Sequence, residues 1–344
     1  MFGRFAEALS KEIALRAHEI SDKVNTLYIG GGTPSVLPLS VFETLVTALA
    51  EAGHGGPYDE FTVEVNPEDI VEKGLPYVEG LVRLGVNRIS MGVQSFDDGI
   101  LKFMNRRHDA ATAKKAYSIL EEAGVGNISI DLIFGLPQLT DAQWQDTLDK
   151  ALSISPSGRP PQHISSYQLS VEPGSMLARL AEKGKFEEAS EELCQRQYSM
   201  LCEALSKAGY RHYEISNFAL PGYEAKHNSA YWRHVPYVGL GPGAHSFVGQ
   251  SRQWNLPDLT GYLSDPAQVQ DGEALTEDQL VLERIMLALR TDEGISGSYL
   301  NDHADPRELE RALKTGNLVH IEDGRVRIPE DRFFVSDSII TDLI

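Results

Sequence analysis

Short apolar segments alternate with longer amphipathic segments along the first half of the chain. The short segments are rich in β-branched residues, whereas the longer ones repeat their apolar residues with helical spacing. The predicted strands are Val24–Gly31, Glu60–Asn66, Val86–Gln94, Asn127–Phe134 and His163–Val171. The predicted helices between them are Val41–Ala52, Ile70–Leu84, Ala110–Ala123 and Asp141–Ile154. This alternation indicates repeated βα units and a parallel sheet, either open or closed as a barrel.

Two of these helices begin with the residues of a capping box, in which a Ser or Thr and a Glu or Gln three positions later satisfy backbone N–H groups. Ser40 and Glu43 fit this pattern at the first helix, and Thr140 and Gln143 fit it at the fourth. The sequence therefore predicts that Ser40 and Thr140 start their helices.

Each predicted strand ends in glycine or in a polar residue. The first ends in the run of three glycines at residues 30–32, which Thr33 follows, and such glycines let the backbone approach a ligand closely. The other strand ends carry Glu64, Gln94, Asp131 and Gln168. Because the carboxyl ends of parallel strands converge on one face, where α/β proteins bind ligands, these residues predict a site. An ordinary turn, a helix cap or a salt bridge is the alternative for any one position alone.

The pattern changes after residue 171. Two helices are predicted near residues 176–184 and 187–208, and a strand is predicted over Tyr210–Phe218. A loop rich in Gly, His, Tyr and Trp is predicted over residues 220–255. The strand–helix repeat therefore ends near residue 175.

The C-terminal part predicts a small helical domain with a β wing. An apolar helix over Gln279–Leu289 leads to short helices and to a hairpin around Asp323-Gly324, a dipeptide typical of hairpin turns. The predicted domains are residues 1–175, 176–275 and 276–344.

The chain is strongly acidic, with 50 acidic against 31 basic residues and a net charge of −19. Such a charge repels phosphate backbones, so we expect no nucleic-acid partner. No apolar run of about 18 residues occurs, which predicts that the chain has no integral membrane segment. The N-terminal residues contain no apolar signal core, and we therefore expect a cytoplasmic protein.

Two cysteines, Cys194 and Cys202, lie in one predicted helix. Their spacing suits neither a zinc site nor a typical iron–sulfur loop, and a disulfide is not expected in the cytoplasm. We interpret both as core or surface thiols.

Eight motifs occur in the order that is typical of one protein family. They are Gly30–Ser35, Glu64–Pro67, Asn87–Phe96, Met104–His108, Asp131–Pro137, Tyr213–Ala219, His227–Trp232 and Gly239–Ser246. Together they resemble the radical S-adenosylmethionine (SAM) proteins related to oxygen-independent coproporphyrinogen III oxidase. The His-Asn-x-x-Tyr-Trp motif at residues 227–232 resembles the branch of heme chaperones called HemW. The resemblance extends over essentially the whole chain.

The resemblance implies an α/β fold: a partial parallel (β/α) barrel of the radical SAM type with a small C-terminal helical, winged-helix-like domain. The barrel is expected over residues 1–175, the heme-associated region over 176–275 and the C-terminal domain over 276–344. In the family, a first strand and a Cys-x-x-x-Cys-x-x-Cys loop that binds a 4Fe-4S cluster precede the position of Met1. We therefore expect a truncated barrel that lacks its first strand and the cluster ligands.

The resemblance also implies a SAM site at the strand ends. Backbone groups of Gly31, Gly32 and Thr33 are expected to bind the amino group of SAM. Glu64 is expected to accept hydrogen bonds from the ribose hydroxyls or to offset the sulfonium charge.

Three further residues complete this expected SAM site. Arg106 is expected to bind the carboxylate of SAM with two parallel hydrogen bonds, which lysine does less well. Gln94 is a neutral donor and acceptor at its strand end, and Asp131 suits contacts with ribose or adenine. No catalytic residue is assigned.

The aromatic and imidazole-rich region predicts a heme site. Heme is a flat apolar macrocycle that needs aromatic contact area and, often, an imidazole on its iron. Within the family motif, His227 is the candidate ligand of the heme iron, and Tyr231 and Trp232 are candidates to cover the macrocycle. His245 is expected to support the site. The alternative is that these side chains only pack the loop against the barrel.

The resemblance implies a heme chaperone that binds heme and transfers it to an acceptor protein. Its expected cofactors are heme and SAM, with a 4Fe-4S cluster expected for the family. The alternative is an enzyme, oxygen-independent coproporphyrinogen III oxidase, which decarboxylates its substrate by radical chemistry. That reaction requires the cluster, so the chaperone is the favoured interpretation.

Overall fold

The computed structural model describes residues 1–268 and 270–344. The chain forms two compact units. The first unit contains residues 1–63, 79–87 and 225–344, and the second contains residues 64–78 and 88–224.

Helices occur along the whole length of the chain. They are α1 (Phe2–Arg16), α2 (Leu39–Glu51), α3 (Pro67–Arg83), α4 (Asp98–Phe103), α5 (Ala110–Glu122), α6 (Asp141–Leu152), α7 (Met176–Glu182), α8 (Glu191–Lys207), α9 (Lys226–Trp232), α10 (Leu259–Ser264), α11 (Glu277–Ala288), α12 (Gly297–His303), α13 (Pro306–Thr315) and α14 (Ser336–Leu343). Among the helices that the structure describes, none combines the length and apolar character needed to cross a bilayer.

The strands are short, and most lie in the first two thirds of the chain. They are β1 (Thr26–Ile29), β2 (Glu60–Val65), β3 (Arg88–Gln94), β4 (Ile128–Phe134), β5 (His163–Gln168), β6 (Arg211–Glu214), β7 (Asn217–Ala219), β8 (His245–Val248), β9 (Ser251–Asn255), β10 (Gln270–Ala274), β11 (Ile295–Ser296), β12 (Val319–His320) and β13 (Arg325–Arg327).

Seven strands form the largest sheet, in the order β1-β2-β3-β4-β5-β7-β6. Strand β1 is parallel to β2, and β3, β4 and β5 are parallel to one another. Strand β7 is antiparallel to both β5 and β6. The five predicted strands and the parallel arrangement are therefore confirmed, although β1 and β5 are shorter than predicted.

The prediction of a single strand over Tyr210–Phe218 is wrong. The segment folds back on itself as β6 and β7, with a turn at Ile215-Ser216. The carboxylate of Glu214 accepts hydrogen bonds from the backbone N–H of Ser216 and from the side chain of Asn217. These local bonds stabilise a reversal that an alternation of apolar and polar residues does not reveal.

Of the two predicted capping boxes, only one forms. Thr140 and Gln143 make both reciprocal bonds at the start of α6. The prediction for Ser40 is wrong, because α2 begins at Leu39 with Pro38 as its N-cap and has no side-chain cap. The fixed φ of proline suits the residue that leads into a helix, so the helix begins one residue before Ser40.

The core of the second unit lies around β3 and β4. All residues of β3 are buried, as expected for a central strand covered on both faces. Trp144 of α6 is fully buried, and its indole N–H donates to the backbone carbonyl of Gln197 at 2.9 Å. The Gln197 amide in turn accepts from Gly135 N at 2.9 Å and donates to Leu139 O at 2.8 Å. This glutamine therefore links α8 to the loop after β4.

In the first unit, the carboxylate of Glu12 on α1 is fully buried and saturated with donors. It accepts from the Tyr262 hydroxyl at 2.6 Å, from Asn255 Nδ2 at 2.7 Å and from Gly241 N at 2.8 Å. Arg16 lies 3.3 Å away and supplies the opposite charge. A buried carboxylate is tolerated only when it is paired in this way, so Glu12 fixes the segment 241–262 on α1.

The prediction of a loop over residues 220–255 is wrong in part, because α9, β8 and β9 lie within this segment. Helix α9 begins where the Glu60 carboxylate accepts from the backbone N–H groups of Lys226 and His227, at 2.7 and 3.1 Å. This cap comes from a distant strand and is invisible in the local sequence. Strands β8 and β9 pair with each other and with β10.

The hairpin predicted around Asp323-Gly324 is confirmed. Strands β12 and β13 pair antiparallel on either side of it, and β11 completes a three-stranded sheet. This sheet lies in the same part of the chain as α12, α13 and α14. A helical C-terminal region with a β wing is therefore present, while the predicted domain boundaries remain predictions.

Candidate functional site

Polar side chains gather around Gly92 of β3 in the second unit. A Cβ atom placed on Gly92 would lie 2.8 Å from Gln94 Nε2, 3.4 Å from Asn66 Oδ1 and 3.7 Å from Arg106 Nη2. The absence of a side chain at Gly92 therefore leaves a space that three polar groups border. Of these, Asn66 was not among the predicted site residues, although it directly follows β2.

Gln94 has a backbone conformation that is uncommon for this residue type. Its φ is 67°, in the left-handed region that favours glycine. The parallel register of β3 with β4 is also irregular between Met91 and Gln94. Unusual backbone geometry of this kind clusters at ligand sites, where the surrounding structure holds it.

Arg106 and Arg107 are neighbours with different partners. Arg107 forms ion pairs with Glu68 and Asp69, each at 3.0 Å. Arg106 makes no ion pair within the part of the chain that the structure describes. Burial lowers the pKa of Arg106, while the Glu68 and Asp131 carboxylates raise it. Because a guanidinium remains charged in proteins, Arg106 offers an unpaired, partly desolvated cation for a ligand carboxylate.

Asp131 of β4 is the second charged member of this cluster. Ser90 Oγ donates to its two carboxylate oxygens, at 3.1 and 3.4 Å. Burial raises the pKa of Asp131 to about 6, with Arg88 and the Ser90 hydroxyl opposing and Glu64 adding to the shift. Asp131 and Glu64 therefore interact electrostatically, although Asp131 lies in the middle of β4 and not at its end.

The predicted glycine residues lie in the first unit. Gly31 has a φ of 108°, and a Cβ atom at Gly31 or Gly32 would meet no other atom within 4 Å. Both residues and their backbone are exposed, and the Thr33 hydroxyl donates to the carbonyl of Gly32. The space that a side chain would occupy at these two glycines is therefore empty.

His227 lies on α9 with both ring nitrogens engaged. Nδ1 lies 2.8 Å from Thr26 Oγ1, and Nε2 lies 2.8 Å from the Tyr231 hydroxyl. The imidazole stacks on the ring of Tyr28, with centroids 5.0 Å apart and an angle of 17° between the planes. The ring is thus fixed from three sides by residues of β1 and α9.

Tyr231 lies one helical turn after His227. Its ring meets Tyr237 edge-on at 4.6 Å, and 36 % of its surface is exposed. Burial of the hydroxyl, together with Tyr237, raises the pKa of Tyr231 to about 12. The hydroxyl therefore stays protonated at physiological pH and can donate a hydrogen bond.

The structure brings His227 and Tyr231 into contact, and the other two predicted heme residues also lie in the first unit. Trp232 is the last residue of α9 and is partly buried. His245 is the first residue of β8, is exposed and stacks on Trp254 at 6.1 Å. These two positions remain predictions.

Among the residues that the structure describes, neither cysteine belongs to a group of three or more possible metal ligands. Cys194 is buried next to Gly135, and burial raises the pKa of its thiol. Cys202 lies 4.0 Å from Nδ1 of His212, which is itself buried against Phe218. Two thiols on one helix do not fit a 4Fe-4S cluster, which is normally held by cysteine thiolates in larger number.

Comparison with known proteins identifies the family. A family model described as the Radical SAM superfamily matches residues 2–151. The heme chaperone HemW of Synechocystis is 34% identical over 334 residues, which are 94% of this chain and 77% of that protein. HemW of Lactococcus lactis is 36% identical over 85% of this chain and 74% of that protein. The chain belongs to the HemW family of radical SAM proteins.

A solved structure shows the same fold as this HemW-family chain. Coproporphyrinogen III oxidase (HemN) from Escherichia coli, a radical SAM enzyme, superimposes with a TM-score of 0.81 over 99% of this chain and 82% of its own. The sequences are 22% identical, so this likeness shows the fold alone. The predicted α/β partial barrel of the radical SAM type is confirmed.

Proposed function

We propose that this chain is a heme chaperone that binds heme and passes it to an acceptor protein. The observation that carries the proposal is the fixed imidazole of His227 beside the partly exposed Tyr231. The relatives at 34% and 36% identity that are named heme chaperones support it. Heme is the cargo of this site, and His227 is its iron ligand.

Nε2 of His227 is the atom that would bind the iron. Binding through Nε2 requires that Nδ1 carry the proton and donate it to an acceptor, which Thr26 Oγ1 provides at 2.8 Å. The Tyr231 hydroxyl at 2.8 Å must then move away from Nε2. Its neutral state lets it move without leaving a buried charge behind.

The ring of Tyr28 and the Glu60 cap hold the imidazole of His227 in place. Stacking at 5.0 Å prevents rotation of the imidazole, and the two hydrogen bonds from the start of α9 to Glu60 prevent translation of the helix. Because the His227 side chain is already held in place, less conformational entropy is lost when heme binds.

We propose that the polar cluster around Gly92 binds SAM. Arg106 would bind its carboxylate, Gln94 and Asn66 would bind its uncharged polar groups, and Asp131 and Glu64 would accept from hydroxyls. When bound, SAM supplies a sulfonium centre that can be cleaved reductively. The cysteines of this chain do not fit the cluster that performs this cleavage in the family, so no radical step is assigned to residues of this chain.

A cytoplasmic location is part of the proposal. Cys194 and Cys202 are both free thiols, as is usual in a reducing compartment.

The acceptor is proposed as a protein that takes up heme from the exposed side of α9. The enzyme alternative is not proposed, because the likeness to coproporphyrinogen III oxidase concerns the fold alone.

Heme titration tests the proposal. The wild-type chain should bind one heme with a shifted Soret band, and His227→Ala should bind at least tenfold more weakly. His320→Ala is the matched control, because His320 is exposed on β12. Thermal unfolding of each variant verifies that the protein is folded. Equal heme affinity in folded His227→Ala and in the wild type would contradict the proposal.

A further inference from the structure

A cavity in the first unit lies apart from the residues assigned above to heme and SAM, except that Trp232 is one of its lining residues. Its volume is 260 Å³. It is bordered by the end of α9, by α11, by the turn before β11 and by α12. The charged and aromatic residues that line it are Trp232, Arg233, Arg284, Glu293, Tyr299 and Arg325.

The charge of this cavity is opposite to that of the chain. Three arginines line it against one carboxylate, Glu293, which leaves a local charge of +2. The whole chain carries −19. A concentration of positive charge in a concave site attracts anions and raises their local concentration.

Two of the arginines have structural partners. Arg233 donates through Nε to Glu293 Oε2 at 3.0 Å and through its terminal amino group to the other carboxylate oxygen. Arg325 donates to the backbone carbonyls of Glu293 and Gly294, at 2.8 and 2.6 Å. Backbone carbonyls do not cancel the charge of Arg325, so these bonds hold the turn and leave the cavity positive.

Arg284 has no such partner. Its guanidinium lies over the ring of Tyr299, 4.6 Å from the centroid, and it makes no ion pair with any residue that the structure describes. Stacking on an aromatic ring orients a guanidinium but leaves its N–H groups available. Packing of the turn therefore explains Arg233 and Arg325 but not Arg284.

The side chain of Trp232 lines the same cavity. The indole Nε1 of Trp232 is buried and has no hydrogen-bond acceptor among the described residues. Buried N–H groups without an acceptor are rare in folded proteins, and each one calls for an explanation. Because the Trp232 side chain borders the cavity, its indole resonance is a probe of binding there.

We propose that this cavity binds a small dianion with oxygen acceptors, such as a phosphate or a dicarboxylate. Two negative charges match the local charge of +2. The volume of 260 Å³ lies below the range of about 300–1,000 Å³ that is usual for drug-sized ligands, so the cavity suits a small ion and not a macrocycle. The proposed site goes beyond heme binding and does not depend on it.

Titration of the wild-type chain with inorganic phosphate, pyrophosphate and succinate tests the proposal. The ¹⁵N-indole resonance of Trp232, assigned with Trp232→Phe, reports binding directly. We expect saturable binding of at least one anion, and at least tenfold weaker binding in Arg284→Gln. Arg307→Gln is the matched control, because Arg307 is exposed on α13 and does not line the cavity. Saturation by phosphate or pyrophosphate alone identifies a phosphate site, and saturation by succinate alone identifies a carboxylate site.

Three results would overturn the proposal. One is the lack of saturable binding of all three anions, and another is equal affinity in Arg284→Gln and Arg307→Gln. The third is that only an acidic peptide, for example oligoglutamate, perturbs the Trp232 resonance. Anion binding should persist in folded His227→Ala, so failure of the heme proposal and failure of this one are distinguished.

Discussion

Thr26 Oγ1 lies 2.8 Å from Nδ1 of His227, although 201 residues separate the two in the sequence. The contact joins β1 to α9 and selects one arrangement of the imidazole. With the proton on Nδ1, the hydroxyl oxygen accepts it and Nε2 carries the lone pair. The function proposed for His227 therefore depends on a threonine in a strand far away in the sequence.

Removal of this hydroxyl should weaken heme binding. Thr26→Val keeps the shape of the side chain but removes the acceptor for Nδ1–H. Loss of such an outer partner typically lowers metal affinity by about 10–100-fold, and we expect about tenfold weaker heme binding. Thr44→Val is the control, since the Thr44 hydroxyl bonds only to its own helix at Ser40 O. Similar heme affinities in the two variants would contradict the role given to Thr26.

The Tyr231 hydroxyl should compete with heme for Nε2. Tyr231→Phe removes a hydrogen bond of 2.8 Å that must break before the iron binds. Such a bond contributes about 0.5–1.5 kcal/mol, so heme affinity should rise about two- to tenfold. Tyr237→Phe keeps this bond and should leave the affinity unchanged. Weaker binding in Tyr231→Phe would show that the hydroxyl assists heme binding.

Arg106 should control the affinity for SAM, and its neighbour should not. Arg106→Gln removes the unpaired guanidinium, and we expect at least tenfold weaker SAM binding by calorimetry. Arg107→Gln removes the two ion pairs that the exposed Arg107 side chain makes with Glu68 and Asp69 and should leave SAM binding unchanged. Equal affinity for SAM in both variants would place the carboxylate of SAM elsewhere.

Asp131 should destabilise the folded chain at neutral pH. Burial raises its pKa to about 6 from an ordinary 3.8, so the folded state binds the proton more tightly than the unfolded state does. Its contribution to stability is greatest below pH 4 and is lost as the pH rises through about 6. At pH 7.5, Asp131→Asn should raise the free energy of unfolding by about 1–3 kcal/mol. The gain should vanish near pH 4, and a gain that is independent of pH would contradict this assignment.

The sequence predicts those features that depend on neighbouring residues. Strands β3 and β4 each place an apolar residue at every second position, and the Thr140–Gln143 box is formed by two residues three positions apart. The polar strand ends were also predictable, because parallel strands bring their carboxyl ends to one edge. This argument applies to Gln94 and Glu64, whereas Arg106, which follows α4, was expected from the family resemblance, and the SAM site remains a prediction.

Other features depend on contacts between distant residues. Helix α9 is capped by Glu60, 166 residues earlier, and a local pattern predicts only a loop there. The turn at Ile215-Ser216 is stabilised by Glu214, whose carboxylate folds back on the chain after β6. The charge of the cavity beside Arg284 arises from three segments that meet only in the folded chain. None of these contacts has a signature in the local sequence.

Pulsed electron paramagnetic resonance of the ferric heme complex tests the central claim most directly. The protein is prepared with ¹⁵N-labelled histidine and loaded with one unlabelled heme. A nitrogen coupling that changes with the label, that is present in the wild type and that is lost in folded His227→Ala is the predicted result. The same label-dependent coupling in His227→Ala, or no label-dependent coupling in the wild type, would contradict the assignment of His227 as the iron ligand.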